Sequence, residues 1–110
     1  MSLAEKTCVP CRGGVPRLAL NEVRDYMKDA PGWELNEDAT RISRTFTFAD
    51  FAEAQALAAK VGALCEDEGH HAELTIGWGN CRVMFQTHKI RGLHENDFIM
   101  AAKVDRLGET

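Results

Sequence analysis

Residues 50–88 read DFAEAQALAAKVGALCEDEGHHAELTIGWGNCRVMFQTH, and this stretch decides the fold. Asp50 is a strong N-cap type, and Phe51, Ala54, Leu57, Ala58, Val61, Leu64 and Cys65 follow it at helical spacing. The pattern predicts a helix to about Glu68, ended at Gly69 by the left-handed cap that glycine permits. Its alanines favour helix and allow close approach to a sheet or a second helix. Past Gly69 the period drops to two. Leu74, Ile76 and Trp78 alternate with Glu73, Thr75 and Gly77. After a turn at Gly79-Asn80, Val83, Phe85 and Thr87 alternate with Arg82, Met84, Gln86 and His88. A long helix followed by a β-hairpin is expected, with His88 closing the last strand.

A weakly similar helix–hairpin half lies upstream. Leu18, Leu20, Val23 and Met27 suggest a helix through Ala30, stopped by Pro31-Gly32. Trp33–Leu35 is a short strand candidate, Asn36-Glu37-Asp38 carries turn chemistry, and residues 41–48 alternate. Ile42, Phe46 and Phe48 share one face, which Arg44 interrupts near its edge. Downstream, Gly92 breaks the chain and a last helix is expected from about Glu95 to Leu107, with Phe98, Ile99, Ala102 and Leu107 inward or at a partner surface. Hairpins imply an antiparallel sheet, and the helices between them must pack on one face of it. The expected fold is α+β: a two-layer sandwich with a four-stranded antiparallel sheet and three helices on one face, in the order α-β-β-α-β-β-α. Residues 1–17, with Pro10, Gly13, Gly14 and Pro16, read as an irregular N-terminal arm, and 18–110 as one domain.

Composition narrows the function. Hydrophobic residues are 45% and charged residues 27%, the balance of a globular domain able to bury a core without disulfide staples. A net charge of −4 argues against a nonspecific nucleic-acid binder, which must neutralise phosphates, so no direct nucleic-acid partner is expected. No apolar run approaches the roughly 18 residues that span a bilayer, and Met1–Lys6 lacks a signal pattern. The chain reads as cytoplasmic with no membrane partner, and Cys8, Cys11, Cys65 and Cys81 read as thiols.

All four histidines lie within residues 66–97, and three of them join two carboxylates in one pattern: His70 and His71 adjacent, then His88 after Thr87, with Glu66 before them and Asp97 after. On the map above these positions lie at element ends, where side chains from a rigid scaffold can converge. Histidine exchanges protons near neutral pH at little cost, and it is also a common metal ligand. The cluster by itself suggests either proton transfer or a metal site. Adjacent histidines in an extended connection tend to point apart and no His-x-x-x-His spacing is present, so metal is the lesser reading. Cys8-x-x-Cys11 can be half a zinc site or a redox pair. It lacks matching ligands and a strand–helix context, so a structured arm is favoured.

Glu66-x-x-x-His70-His71, the aromatic Trp78, Thr87-His88, Gly92-Leu93 and Asp97 together resemble the pattern of the pterin-4a-carbinolamine dehydratases. The likeness extends upstream through Gly32-Trp33 and Phe46-Thr47-Phe48-x-Asp50-Phe51 and covers roughly residues 18–107; Cys8–Gly14 resembles a segment that opens many bacterial members. Three positions depart from the family pattern: Ala72 stands for its proline, Leu74 for its tryptophan and His94 for its helix-capping Ser or Thr.

The resemblance implies the same α+β fold and an enzyme that dehydrates 4a-hydroxytetrahydropterin to quinonoid dihydropterin in tetrahydrobiopterin recycling. It implies His70, His71 and His88 as catalytic residues, with His71 as acid toward the leaving hydroxyl. Glu66, Asp97, Trp78 and Thr87 would orient imidazoles or hold substrate. One acid and one base suffice for this reaction, so no cofactor and no metal are expected. The implied partner is a small pterin, and the implied assembly a homodimer or homotetramer. The same resemblance carries an alternative: some relatives bind proteins without catalysis, as transcription-factor dimerisation cofactors or carboxylase assembly factors. Such relatives would be expected to lose part of the histidine set, which this chain keeps.

Overall fold

The helix expected after Asp50 forms as α2, Phe51–Glu68. Asp50 caps it by accepting from the Glu53 backbone N–H, and Gly69 ends it at φ 67°. Ala54, Leu57, Ala58, Val61 and Cys65 form its buried stripe, while Phe51, at the first turn, stays exposed. The other elements are α1 (Leu20–Met27), β1 (Glu34–Leu35), β2 (Ile42–Thr47), β3 (Glu73–Gly77), β4 (Asn80–Phe85) and α3 (Glu95–Gly108). This computed structural model describes residues 2–9 and 15–108; Pro10–Gly14, including the Cys11 of the Cys-x-x-Cys pair, lie outside the described residues.

The sheet is antiparallel in the order β1-β2-β4-β3, so the two hairpins join through β2 and β4, paired from Ile42↔Phe85 to Thr47↔Asn80. Period-two alternation then sorts the faces. Ile42, Val83, Phe85 and Leu74 face Val23, Val61, Phe98 and Val104 of the helices in one core, whereas Thr45, Arg82 and Thr75, side by side in register, are exposed on the other face. This is the α+β sandwich expected from the pattern.

Arg44 sits on the apolar face without being stranded there. Its guanidinium lies 4.5 Å from the Phe46 ring centre, and Nη1 reaches Asp105 Oδ1 at 2.7 Å. Asp105 also accepts from Trp33 Nε1 at 2.9 Å, which satisfies a core tryptophan's only polar group.

The element boundaries differ from expectation where a local bond competes. Leu18 gives its N–H to the Leu93 carbonyl, so α1 begins only at Leu20. Gly77 pairs with Asn80, which makes the second hairpin turn Trp78-Gly79, one residue earlier than expected, with Gly79 at φ 76°. β4 stops at Phe85. Thr87 and Gly92 form an isolated bridge around a 3₁₀ turn at His88–Ile90, so His88 opens that turn and does not close a strand. The arm is not wholly irregular either, since Leu3–Glu5 form a 3₁₀ turn against α3. No helix among the described residues is long and apolar enough to cross a membrane.

Candidate active site

The site is built where α2 ends, β4 ends and α3 begins. Gly69 and His70 both direct their N–H groups to the Cys65 carbonyl, folding the chain back on the helix it has just left. Ala72 N–H then reaches Cys65 Sγ at 3.4 Å, a bond that proline at this position could not make. The connection that carries both histidines is thus tied down at each side of them.

His70 is directed inward. Its ring lies 6.2 Å from Phe85, nearly parallel to it, and Nε2 meets Asp97 Oδ1 at 2.6 Å. Asp97 is completely buried. Its other oxygen accepts from Thr87 Oγ1 at 2.7 Å and from His94 N at 3.0 Å. A carboxylate accepts only, so against ionised Asp97 it is His70 Nε2 that donates, which leaves Nδ1 as the lone-pair nitrogen whenever the ring is neutral.

Asp97 also belongs to the cap of α3. It accepts from the His94 backbone while the His94 imidazole Nδ1 accepts from Asn96 N at 3.0 Å. Asp97 at the third helical position thus reaches back to the N-cap backbone as in a capping box, while the His94 ring caps the second helical N–H and not the third. The substitution at position 94 therefore keeps its capping role by a different atom.

His71 points the other way, exposed at the rim with Nε2 on the Glu66 carboxylate one turn back. His88 is exposed at the start of the 3₁₀ turn. His70, His71, Thr87 and His88 line one open cleft of about 410 Å³, together with Gly69, Gln86 and Lys89. Larger hollows, of about 640, 540 and 510 Å³, hold none of the histidines. Glu66 and Asp97 do not line the cleft; each is bonded to a histidine that does, exposed Glu66 to His71 and buried Asp97 to His70. Trp78 stands apart: it is 76% exposed in the β3–β4 turn, beyond the far end of β3 from His71. At about 3.3 Å per extended residue that separation is roughly 20 Å.

Among the described residues no cysteine lines the cleft. Burial, with Glu68 nearby, pushes the Cys8 thiol up to about 12, and burial raises Cys65 and Cys81 as well. All three stay protonated at neutral pH, which suits neither a nucleophile nor a redox pair. Among the described residues no group of three or more His, Cys, Asp or Glu side chains is disposed to hold a metal ion. Nothing in the sequence pointed to Gln86, Lys89 or Asn96 at the site, whereas His94 stood out as the departure at the family's capping position.

The profile of the family described as "Pterin 4 alpha carbinolamine dehydratase" matches residues 16–107. The chain belongs to this family. A Methylococcus capsulatus protein named "Putative pterin-4-alpha-carbinolamine dehydratase" is 59% identical, over 96% of this chain and 93% of its own. A protein of the same name from Aromatoleum aromaticum is 50% identical over 98% of this chain and 96% of its own. Among solved structures, a transcriptional coactivator/pterin dehydratase from Brucella melitensis superposes with a TM-score of 0.78 at 28% identity, covering 84% of this chain and 98% of that one. A pterin dehydratase-like protein described as a RuBisCO assembly factor superposes at 0.61 and 21% identity over 72% of this chain and 92% of its own, a likeness of fold.

Proposed function

We propose that this chain catalyses the dehydration of a 4a-hydroxytetrahydropterin to the quinonoid dihydropterin, with the three-histidine cleft as its active site. The reaction breaks the C4a–O bond and the N5–H bond. The hydroxyl leaves as water once it is protonated, the N5 proton goes to a base, and the N–H electron pair becomes the C4a=N5 double bond. Nothing is oxidised and no group is transferred, so one proton donor and one acceptor on opposite sides of the C4a–N5 bond meet the demand.

The observation that carries this reading is the His70–Asp97–Thr87 chain behind the cleft. A buried carboxylate fixes the tautomer of His70 and leaves Nδ1 able to take the N5 proton. His71, at the solvent rim beside Glu66, donates to the departing hydroxyl and is reprotonated from water. His88, which also lines the cleft, holds the pterin edge. A positioned acid or base of this kind contributes about 10²–10⁴-fold each. The role fits tetrahydrobiopterin recycling, in the cytoplasm, with the protein assembled as a homodimer or homotetramer. Retention of the full histidine set favours this reading over the coactivator and assembly-factor roles described for structural relatives.

The test is the rate at which freshly generated 4a-hydroxytetrahydrobiopterin loses its ultraviolet absorbance. The wild-type chain accelerates the decay, and His71→Ala combined with His88→Ala abolishes most of the acceleration. A double variant as fast as wild type would disprove the assignment.

A further inference from the structure

The arm before the domain docks on the two helix ends that carry the catalytic pair. Cys8 N–H donates to Glu68 Oε1 at 2.8 Å, in the last turn of α2 and two residues before His70. Val9 is gripped at both backbone groups by one side chain: its N–H donates to Asn96 Oδ1 at 3.1 Å, and Asn96 Nδ2 donates to its carbonyl at 2.7 Å. Asn96 is 1% exposed and immediately precedes Asp97. Lys103 adds a third tie, donating to the Ala4 carbonyl at 3.0 Å while its ammonium stands 3.9 Å from Glu68. Lys6 pairs with Glu95 at 2.9 Å.

These contacts close a ring. It runs from the end of α2 through Glu68 to Cys8 and Val9, then through Asn96 to the start of α3, and returns across the Asp97–His70 bond. The arm therefore braces from outside the same gap that the 2.6 Å His70–Asp97 contact spans from inside. A buried amide that presents its donor and acceptor to one residue's backbone fixes both distance and orientation, as a paired strand would. None of these residues touches the cleft, so their effect on chemistry must pass through Asp97 and His70. Small displacements matter there, since a shift of about 1 Å in a reacting group can cost on the order of a hundredfold in rate.

We propose that residues 3–9 form a strap that sets the His70–Asp97 geometry, with Asn96 and Glu68 as positioning residues. This rests on the dehydratase reading for its kinetic consequence but not for its structural one. The experiment compares full-length Asn96→Ala, Glu68→Ala and Glu68→Gln with wild type, by steady-state dehydration kinetics and by ¹⁵N resonances of the His70 ring in the free protein. The two alanine variants should lower kcat by about tenfold while KM stays within about twofold. Their His70 ring nitrogens should move from a single tautomer toward a mixture. Glu68→Gln keeps an acceptor for Cys8 N–H and should restore most of kcat.

Folded alanine variants with unchanged kcat and unchanged His70 resonances would overturn the strap. So would a loss confined to melting temperature, or a Glu68→Gln variant as impaired as Glu68→Ala. If Asn96→Ala does not fold, the Glu68 pair carries the comparison. If wild type dehydrates no carbinolamine, the activity reading falls, while the ring resonances still decide the strap.

Discussion

Replacing Asp97 with asparagine changes one charge and the direction of one hydrogen bond without changing the side chain's shape. Two of its three contacts survive, because an amide oxygen can still accept from Thr87 Oγ1 and His94 N. The amide nitrogen must then face His70 Nε2. It can only donate there, so the imidazole is driven to carry its proton on Nδ1. The lone pair proposed to accept the N5 proton is thereby occupied. Removing that contribution should lower kcat by about 10²-fold or more, the lower end of what a positioned base supplies.

The structural cost is smaller. One charge-assisted hydrogen bond becomes a neutral one in a buried site, a cost of about 1 kcal/mol, which in a domain of this size corresponds to a fall in Tm of about 4 °C. The assay is single-turnover decay of the carbinolamine at a temperature well below the new transition, paired with the His70 ring ¹⁵N spectrum. A variant whose spectrum shows the reversed tautomer yet retains kcat within about threefold would refute the role given to His70.

Other consequences follow from the scaffold. Gly69→Ala meets no neighbour within 4 Å but must hold φ near 67°, so it should cost about 1 kcal/mol and lower Tm measurably with little change in KM. Glu95 is held below the ordinary carboxylate range, first by its hydrogen bond to Lys6. A depressed carboxylate stabilises the fold above its unfolded value of 4.5, and that stability is lost as pH falls through the lower folded value. Glu95→Gln should therefore lower Tm at pH 7 while leaving it unaltered at the acid extreme, as read by melting curves across pH. Cys8, raised from 9.0 to about 12, should resist iodoacetamide at pH 8 in the native state and react readily in denaturant. Fast native alkylation at Cys8 would contradict the docking of the arm.

Local signals were readable in the sequence because local physics decides them. Asp50 and Gly69 bound α2 as a capping residue and a left-handed glycine must, and strict alternation around Leu74 and Val83 declared the second hairpin. The pairing of β2 with β4 is different: it joins residues some forty positions apart, and no turn residue encodes it. The end of β4 was misread because Thr87 and His88 continue the alternation on paper, while the Thr87–Gly92 bridge bends the chain away.

Site residues divide along the same line. His70, His71, Thr87 and His88 share the cleft, as the spacing of the motif suggested. That His70 turns inward and His71 outward could not be read from an adjacent pair, since Asp97 and Glu66 decide it from distant and near positions respectively. Trp78 was grouped with the site by its place in the motif, yet the length of β3 separates it from the cleft within one subunit. The roles of Asn96 and Cys65 depend on Val9 and Ala72 arriving beside them, and nothing in their own sequence neighbourhoods announces that.

The most direct test of the account is a titration of the ¹⁵N-labelled protein with a stable reduced-pterin analogue, followed by backbone and imidazole chemical shifts. The account predicts saturable shifts concentrated at residues 69–71 and 86–89, with the His70 ring among the most affected. Shifts centred elsewhere on the surface, or none at saturating analogue, would contradict it.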